Sequence, residues 1–294
     1  MKIRVPATSA NLGPGFDCLG IGLDFFNEIE IYKSKITSIK IKGEGQNNIY
    51  LKKNNIFVKI FYENYKKLSK NDMNFKFIFT NNIPFSRGLG SSSAVIVGAL
   101  AAASVLNDEK INKEKLLNKA ILYENHPDNI APAIFGGFVC SVLHDNKVFS
   151  IKKDIDNNLK ALIVIPNTTI STKKSRKNLI DNFTLKECVF NLSHSSFLTA
   201  CFLEKKYDLL KIASLDMLHQ NQRMSNMPEL FEVQKIALEN NALMSTLSGS
   251  GSSFLSIIHK DDAKYLEDKM KQKFHNFTIK TMNFNNNGFE FIEA

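Results

Sequence analysis

Pro84-Phe85-Ser86-Arg87-Gly88-Leu89-Gly90-Ser91-Ser92-Ser93-Ala94 stands between two segments of opposite character. Before it, Phe75, Phe77 and Phe79 alternate with less apolar residues, the period of a half-buried strand. After it, an alanine-rich run reaching about residue 106 predicts a helix. Gly88 and Gly90 let the backbone approach a ligand closely and turn its N–H groups inward. Three serine hydroxyls add donors, and the following helix aims its positive dipole end into the loop. With Arg87 alongside, the turn suits a polyphosphate; taken alone it is also simply a turn. It is neither a Walker A loop nor GxGxxG.

Moving outward, residues 2–5 and the Ile29/Ile31 and Ile39/Ile41 alternations predict strands. Ile56, Phe57, Ile60, Phe61, Tyr65 and Leu68 fall at helical spacing. Downstream, a helix is expected over roughly 113–125, then strands near 137–143, 147–151 and Leu159–Ile165. Several helices fill 173–240, and strands near 243–247 and 253–258 flank a second Gly/Ser turn, Ser248-Gly249-Ser250-Gly251-Ser252-Ser253. A helix near 261–274 and strands near 277–283 and 288–292 follow. Runs of strands and runs of helices argue α+β in two parts, 1–155 and 156–294, not a doubly wound parallel sheet.

Two polar segments complete the inventory. Val5-Pro6-Ala7-Thr8-Ser9-Ala10-Asn11-Leu12-Gly13-Pro14-Gly15-Phe16-Asp17 brings an amide and a carboxylate to one turn, where Asp17 is a natural partner for a substrate ammonium. Glu124-Asn125-His126-Pro127-Asp128-Asn129 is expected at a helix end and offers a Mg²⁺ carboxylate and groups for a hydroxyl nucleophile. No HExxH, HRD or DFG pattern accompanies it.

The net charge of +9 comes from lysines spread along the whole chain, without an arginine- or aromatic-rich stripe, so no nucleic-acid partner is expected. Arg4, Arg87, Arg176 and Arg223 are the only arginines. In a chain that otherwise uses lysine, an arginine suggests a bidentate grip on carboxylate or phosphate, with Arg4 the readiest to be incidental. The longest weakly polar run, Ala94–Leu106, is too short to span a bilayer, and the N-terminus has no apolar leader, so neither membrane nor export is expected. Cys18, Cys140, Cys188 and Cys201 are scattered and read as reduced, mostly buried thiols.

Taken together these segments resemble the GHMP kinase superfamily over nearly the whole chain, and within it 5–17 and His126-Pro127-Asp128-Asn129-Ile130-Ala131-Pro132-Ala133 resemble the homoserine kinases most closely. The resemblance implies an N-terminal domain like ribosomal protein S5 domain 2, a C-terminal ferredoxin-like domain, and a cleft between them that transfers phosphate from ATP with Mg²⁺ to the hydroxyl of L-homoserine. It implies an enzyme that is often a homodimer, and the lack of an export signal makes a cytoplasmic location the expectation. Pro84, Ser86, Arg87, Gly88, Leu89, Gly90, Ser91, Ser92, Ser93, Gly249 and Gly251 are then the nucleotide positions, with Ser92 and Glu124 toward the metal. Asn11, Asp17, His126, Thr172, Arg176 and Arg223 match the substrate side, the two arginines holding the carboxylate, and Asn129 and Arg176 stand at the reaction centre. Asn occupies position 129, where many relatives carry a catalytic Asp, so positioning rather than a protein base is expected to drive transfer. A different GHMP kinase would lack the paired arginines; a non-catalytic sensor would lack Glu124 or the phosphate loop.

Overall fold

Strand-period segments separated by turns pair into two sheets in a computed structural model that describes residues 1–69, 73–180 and 182–292. The first sheet contains β1 (Lys2–Ala10), β2 (Leu19–Ser34), β3 (Ser38–Gly43), β4 (Asn74–Asn81), β5 (Phe138–His144) and β6 (Lys147–Lys153). The second contains β7 (Leu159–Ile165), β8 (Met244–Leu247), β9 (Phe254–His259) and β10 (Thr278–Met282), in the order β10-β7-β9-β8 and antiparallel throughout. The last strand, β11 (Glu290–Ile292), returns to the first sheet and pairs with β1. A cut at residue 155 therefore separates β11 from the sheet it completes. The first sheet runs β11-β1-β2-β4-β3, and β5 joins the start of β2 and carries β6 on its other side. Among the described residues, β3 and β4 are the one pair of strands that runs parallel.

The helices are α1 (Ile49–Lys53), α2 (Ile56–Leu68), α3 (Ser91–Val105), α4 (Lys113–Ala120) and α5 (Pro127–Phe135), then α6 (Thr172–Lys177), α7 (Leu185–Leu203), α8 (Leu210–Ala213), α9 (Gln220–Met224), α10 (Glu229–Glu239) and α11 (Lys260–Lys273). Helix α3 buries residues on every side, as its uniformly apolar sequence requires, and packs against α2, α4, α5 and β1. Helix α2 buries Phe57, Ile60, Phe61 and Tyr65, and its two phenylalanines meet β4 edge-on: Phe57–Phe79 and Phe61–Phe77 have ring centroids 5.2 Å apart. Strand β7 shows the period of two directly. Ala161, Ile163 and Ile165 join the larger core, which includes Leu198 and Phe202 of α7, while Leu162 and Val164 meet α10 and α11.

Several boundaries differ from the sequence expectation. Strand β1 continues past residue 5 to Ala10, because β2 is long enough to pair along its whole length, with a register shift at Pro6/Ala7 where proline has no ladder donor to lose. The helix expected over 113–125 stops at Ala120, and Glu124 lies in the turn that follows. The His126–Asn129 segment consequently opens a helix: His126 is the N-cap of α5 and Pro127 its first residue, a position that needs no N–H donor. Of the four free cysteines only Cys201 is buried. Among the described residues no helix is long and apolar enough to cross a membrane.

Candidate active site

The turn from β4 into α3 and the turn from β8 into β9 lie against each other. Ser248 Oγ donates to the Gly88 carbonyl at 2.6 Å, and Ser253 N–H donates to the Arg87 carbonyl at 3.0 Å. Glycine is required at the contact: a Cβ on Gly88, whose φ is +74°, would stand 2.0 Å from the Ser248 carbonyl oxygen. Gly90 caps α3 with φ +66° and no side-chain hydrogen bond, so the first-turn N–H groups of Ser91, Ser92 and Ser93 have no intrahelical acceptor. These residues line an open cleft of about 150 Å³ together with Pro84, Ser86, Arg87, Leu89, Gly249 and Ser250. Gly251 is outside this lining.

Charged side chains close the opposite rim. Arg176 Nη1 and Nη2 donate to the two oxygens of Asp17 at 2.8 and 2.7 Å, and His126 Nδ1 lies 3.2 Å from the same carboxylate. Burial lowers the His126 pKa, with Asp17 opposing and Arg176 assisting. Arg223 is buried; its Nη1 donates to the Gly249 carbonyl at 3.0 Å and meets His219 Nδ1 at 3.3 Å, and its Nε has no partner. Burial, then the nearby Arg176, brings its pKa down to about 10. Both guanidinium groups lie over the Phe16 ring, at 5.1 and 5.2 Å, and the His219 ring is 5.1 Å from the same phenyl. Asn11 joins the rims. Its Nδ2 donates to the Gly249 carbonyl and its Oδ1 accepts from the Asp17 N–H.

Two further carboxylates face the cleft without a cation partner among the described residues. Glu124 accepts from Ser93 Oγ at 2.7 Å, and burial raises its pKa. Asp128 is 6% exposed, and burial, then the neighbouring Asp17 and Glu124, pushes its pKa up to about 7. A hard divalent cation fits beside Glu124. The donors there are oxygens, and the buried negative charge lacks compensation. No group of three or more His, Cys, Asp or Glu side chains could hold a metal among the described residues. That suits Mg²⁺, which takes one or two carboxylates and completes its shell with phosphate and water.

Asn129 accepts from Thr8 Oγ1 at 2.7 Å through its Oδ1, and its amide nitrogen donates one N–H to Asp128 Oδ1 at 3.5 Å, which leaves the other for the cleft. Asn11, Asp17, His126, Asn129, Arg176 and Arg223 are thus brought together with the phosphate loop and Glu124. Thr172 begins α6, and its side chain lies outside the described residues. Ser93, the serine turned inward on α3, donates to Glu124, and Ser92 lines the cleft beside it. Arg87 does not present its fork to the cleft: Nε, Nη2 and Nη1 donate to the carbonyls of Pro166, Asn167 and Phe85 at 2.9, 2.5 and 3.0 Å. Thr8, Phe16, Asp128 and His219 were not assigned from sequence. Asp128 had a signal, its place between His126 and Asn129; Phe16 and His219 had none, since their partners are distant in the chain.

The family models for the GHMP kinase N-terminal domain and the GHMP kinase C-terminal domain match residues 55–137 and 198–276. A homoserine kinase of Campylobacter jejuni is 64% identical over 290 residues, 99% of each chain. The crystal structure of homoserine kinase from Cytophaga hutchinsonii superposes with a TM-score of 0.88 at 27% identity, covering 99% of this chain and 97% of that one. Mevalonate kinase of Methanococcus jannaschii, at 14% identity and a TM-score of 0.70 over 97% of this chain and 98% of that one, shares the fold.

Proposed function

The chain belongs to the homoserine kinases of the GHMP kinase family, and from that premise we propose how its cleft moves the γ-phosphoryl group of ATP to the side-chain hydroxyl of L-homoserine, a step of threonine biosynthesis. One observation carries the assignment: a helix N-terminus without a side-chain cap and a pair of arginines over Phe16 line the same cleft. The first suits a polyphosphate and the second a carboxylate. A sugar would need only the first.

The first-turn N–H groups of α3 and the hydroxyls of Ser91 and Ser92 hold the phosphates, and Glu124 with a serine hydroxyl holds Mg²⁺. When bound, Mg²⁺ neutralises phosphate charge. Arg223, with an unpartnered Nε, and Arg176 grip the α-carboxylate; Asn11 and His126 keep Asp17 in place at the amino-acid end. Asn129 donates from its amide to the substrate hydroxyl and orients it, with Thr8 fixing the amide plane. The hydroxyl oxygen bonds to the γ-phosphorus as the bond to the β,γ-bridging oxygen breaks, ADP leaves, and the hydroxyl proton passes to the transferred phosphoryl group. An amide accepts no proton usefully, and a loose transition state makes in-line placement the main contribution. A cytoplasmic location is part of this proposal, as is a homodimer, which sedimentation velocity distinguishes from a monomer.

The test is an ATP/Mg²⁺ assay across homoserine, serine, threonine, mevalonate, galactose and shikimate. Turnover should be greatest on homoserine; turnover of mevalonate or galactose with none on homoserine refutes the proposal.

A further inference from the structure

We infer that Arg87, although it sits in the phosphate loop, is a positioning residue for the amino-acid side of the reaction: it holds residues 166–171 in place and, through them, sets Arg176. This rests on the homoserine kinase assignment above. The segment between β7 and α6 has little apolar anchorage, since Asn167, Thr168, Thr169 and Ser171 are exposed and Ile170 is half-buried. Its place is fixed mainly by hydrogen bonds, a form of local structure with low intrinsic stability. Arg87 supplies two of them, to the carbonyls of Pro166 and Asn167. The Ile170 N–H donates to the Ser86 carbonyl at 2.9 Å, and Ser252 Oγ donates to the Thr168 carbonyl at 2.5 Å. Asn167 Nδ2 donates to the Asn276 carbonyl at 2.8 Å.

The segment feeds directly into α6, where Ser175 Oγ donates to the Ser250 carbonyl at 3.3 Å and Arg176 reaches Asp17. The two glycine loops therefore hold the stem on which a carboxylate-gripping arginine stands. A guanidinium is suited to this because its planar fork spans successive carbonyls, which a single ammonium cannot do. With three donors already on carbonyls, Arg87 has little left to offer a phosphate.

The test compares Arg87→Met, Arg87→Lys, Arg176→Met and the Arg87→Met/Arg176→Met double variant in the full chain. Arg87→Met should raise KM for homoserine about tenfold, the equivalent of one hydrogen-bond pair to a charged group, with KM for ATP changed less than about threefold. Arg87→Lys should resemble Arg87→Met, because charge without the fork cannot bridge Pro166 and Asn167. The double variant should have the homoserine KM of Arg176→Met alone, a non-additivity that a purely structural role would not produce. If Arg87→Met does not fold, Arg87→Lys carries the same cycle. A rise confined to KM for ATP and rescued by Lys, or additive penalties on homoserine, overturns the inference. Absence of homoserine turnover in the unaltered protein would instead refute the functional assignment.

Discussion

On the nucleotide side of the cleft, Gly88, Gly90 and the serines of α3 come from one short stretch and work mostly through backbone N–H groups. On the amino-acid side, Asp17, His126, Arg176 and Arg223 arrive from four separate segments and work through charge. The first rim depends on conformations that only glycine adopts without strain. The second depends on how unlike and like charges are balanced around Phe16. Substitutions should therefore fail differently on the two rims.

Gly88→Ala should have the largest effect. It forces an L-residue into φ +74° and drives a Cβ to 2.0 Å from the Ser248 carbonyl, a backbone atom that cannot swing aside. Left-handed strain and overpacking together should lower kcat/KM for ATP by about 100-fold or more. Homoserine affinity, read by calorimetry, should fall far less. Near-normal ATP kinetics would break the claim that backbone geometry makes this rim.

Arg223→Ala is the counterpart on the other rim. Loss of a buried guanidinium from the carboxylate grip should raise KM for homoserine about 10- to 100-fold, with KM for ATP within about twofold. An equal rise for both substrates would erase the distinction between the rims.

The same contrast explains what could be read from sequence. The period-two phenylalanines, the period of α2 and the strand–turn–helix around Gly88 are local patterns, and each formed at or near its expected bounds. The scarcity of arginine pointed to bidentate grips on carboxylate or phosphate, and Arg176 makes one with the two Asp17 oxygens, whereas Arg223 meets the Gly249 carbonyl and the His219 ring. Arg4, the one judged incidental, donates from Nε and Nη2 to Glu290 at 2.8 and 2.6 Å and helps seat β11 on β1. Arg87 donates to the carbonyls of Pro166 and Asn167, partners some 80 residues away that no local pattern announces. The ring contact between Phe16 and His219 links residues far apart in the chain, and no periodicity encodes it. The helix expected over 113–125 overruns, because apolar Leu116, Leu117, Ala120 and Ile121 keep helical spacing beyond the end of α4, whereas Glu124 bonds Ser93 from the turn that follows.

Asp128→Asn sharpens the comparison through stability rather than turnover. Burial, then the neighbouring Asp17 and Glu124, pushes its carboxyl up to about 7 in the folded protein, against 3.8 for an ordinary aspartate, and the Asn129 backbone N–H and Arg176 offset only part of this. Between those values the folded chain keeps a proton that the unfolded chain has lost, so this group makes stability fall as pH rises from about 4 to about 7. Above that range its full penalty, roughly 2 kcal/mol after relaxation, persists. Asparagine keeps the shape and cannot ionise. The variant should therefore melt a few degrees above the unaltered protein at pH 8, and the gap should close as pH approaches 4. A gap independent of pH would mean that Asp128 is electrostatically compensated, and the amino-acid rim would lose its distinguishing feature. A gap that closes as stated would show that the Asp128 charge, buried beside Asp17 and Glu124, is left largely uncompensated, so that a cationic group brought into the cleft would stabilise it.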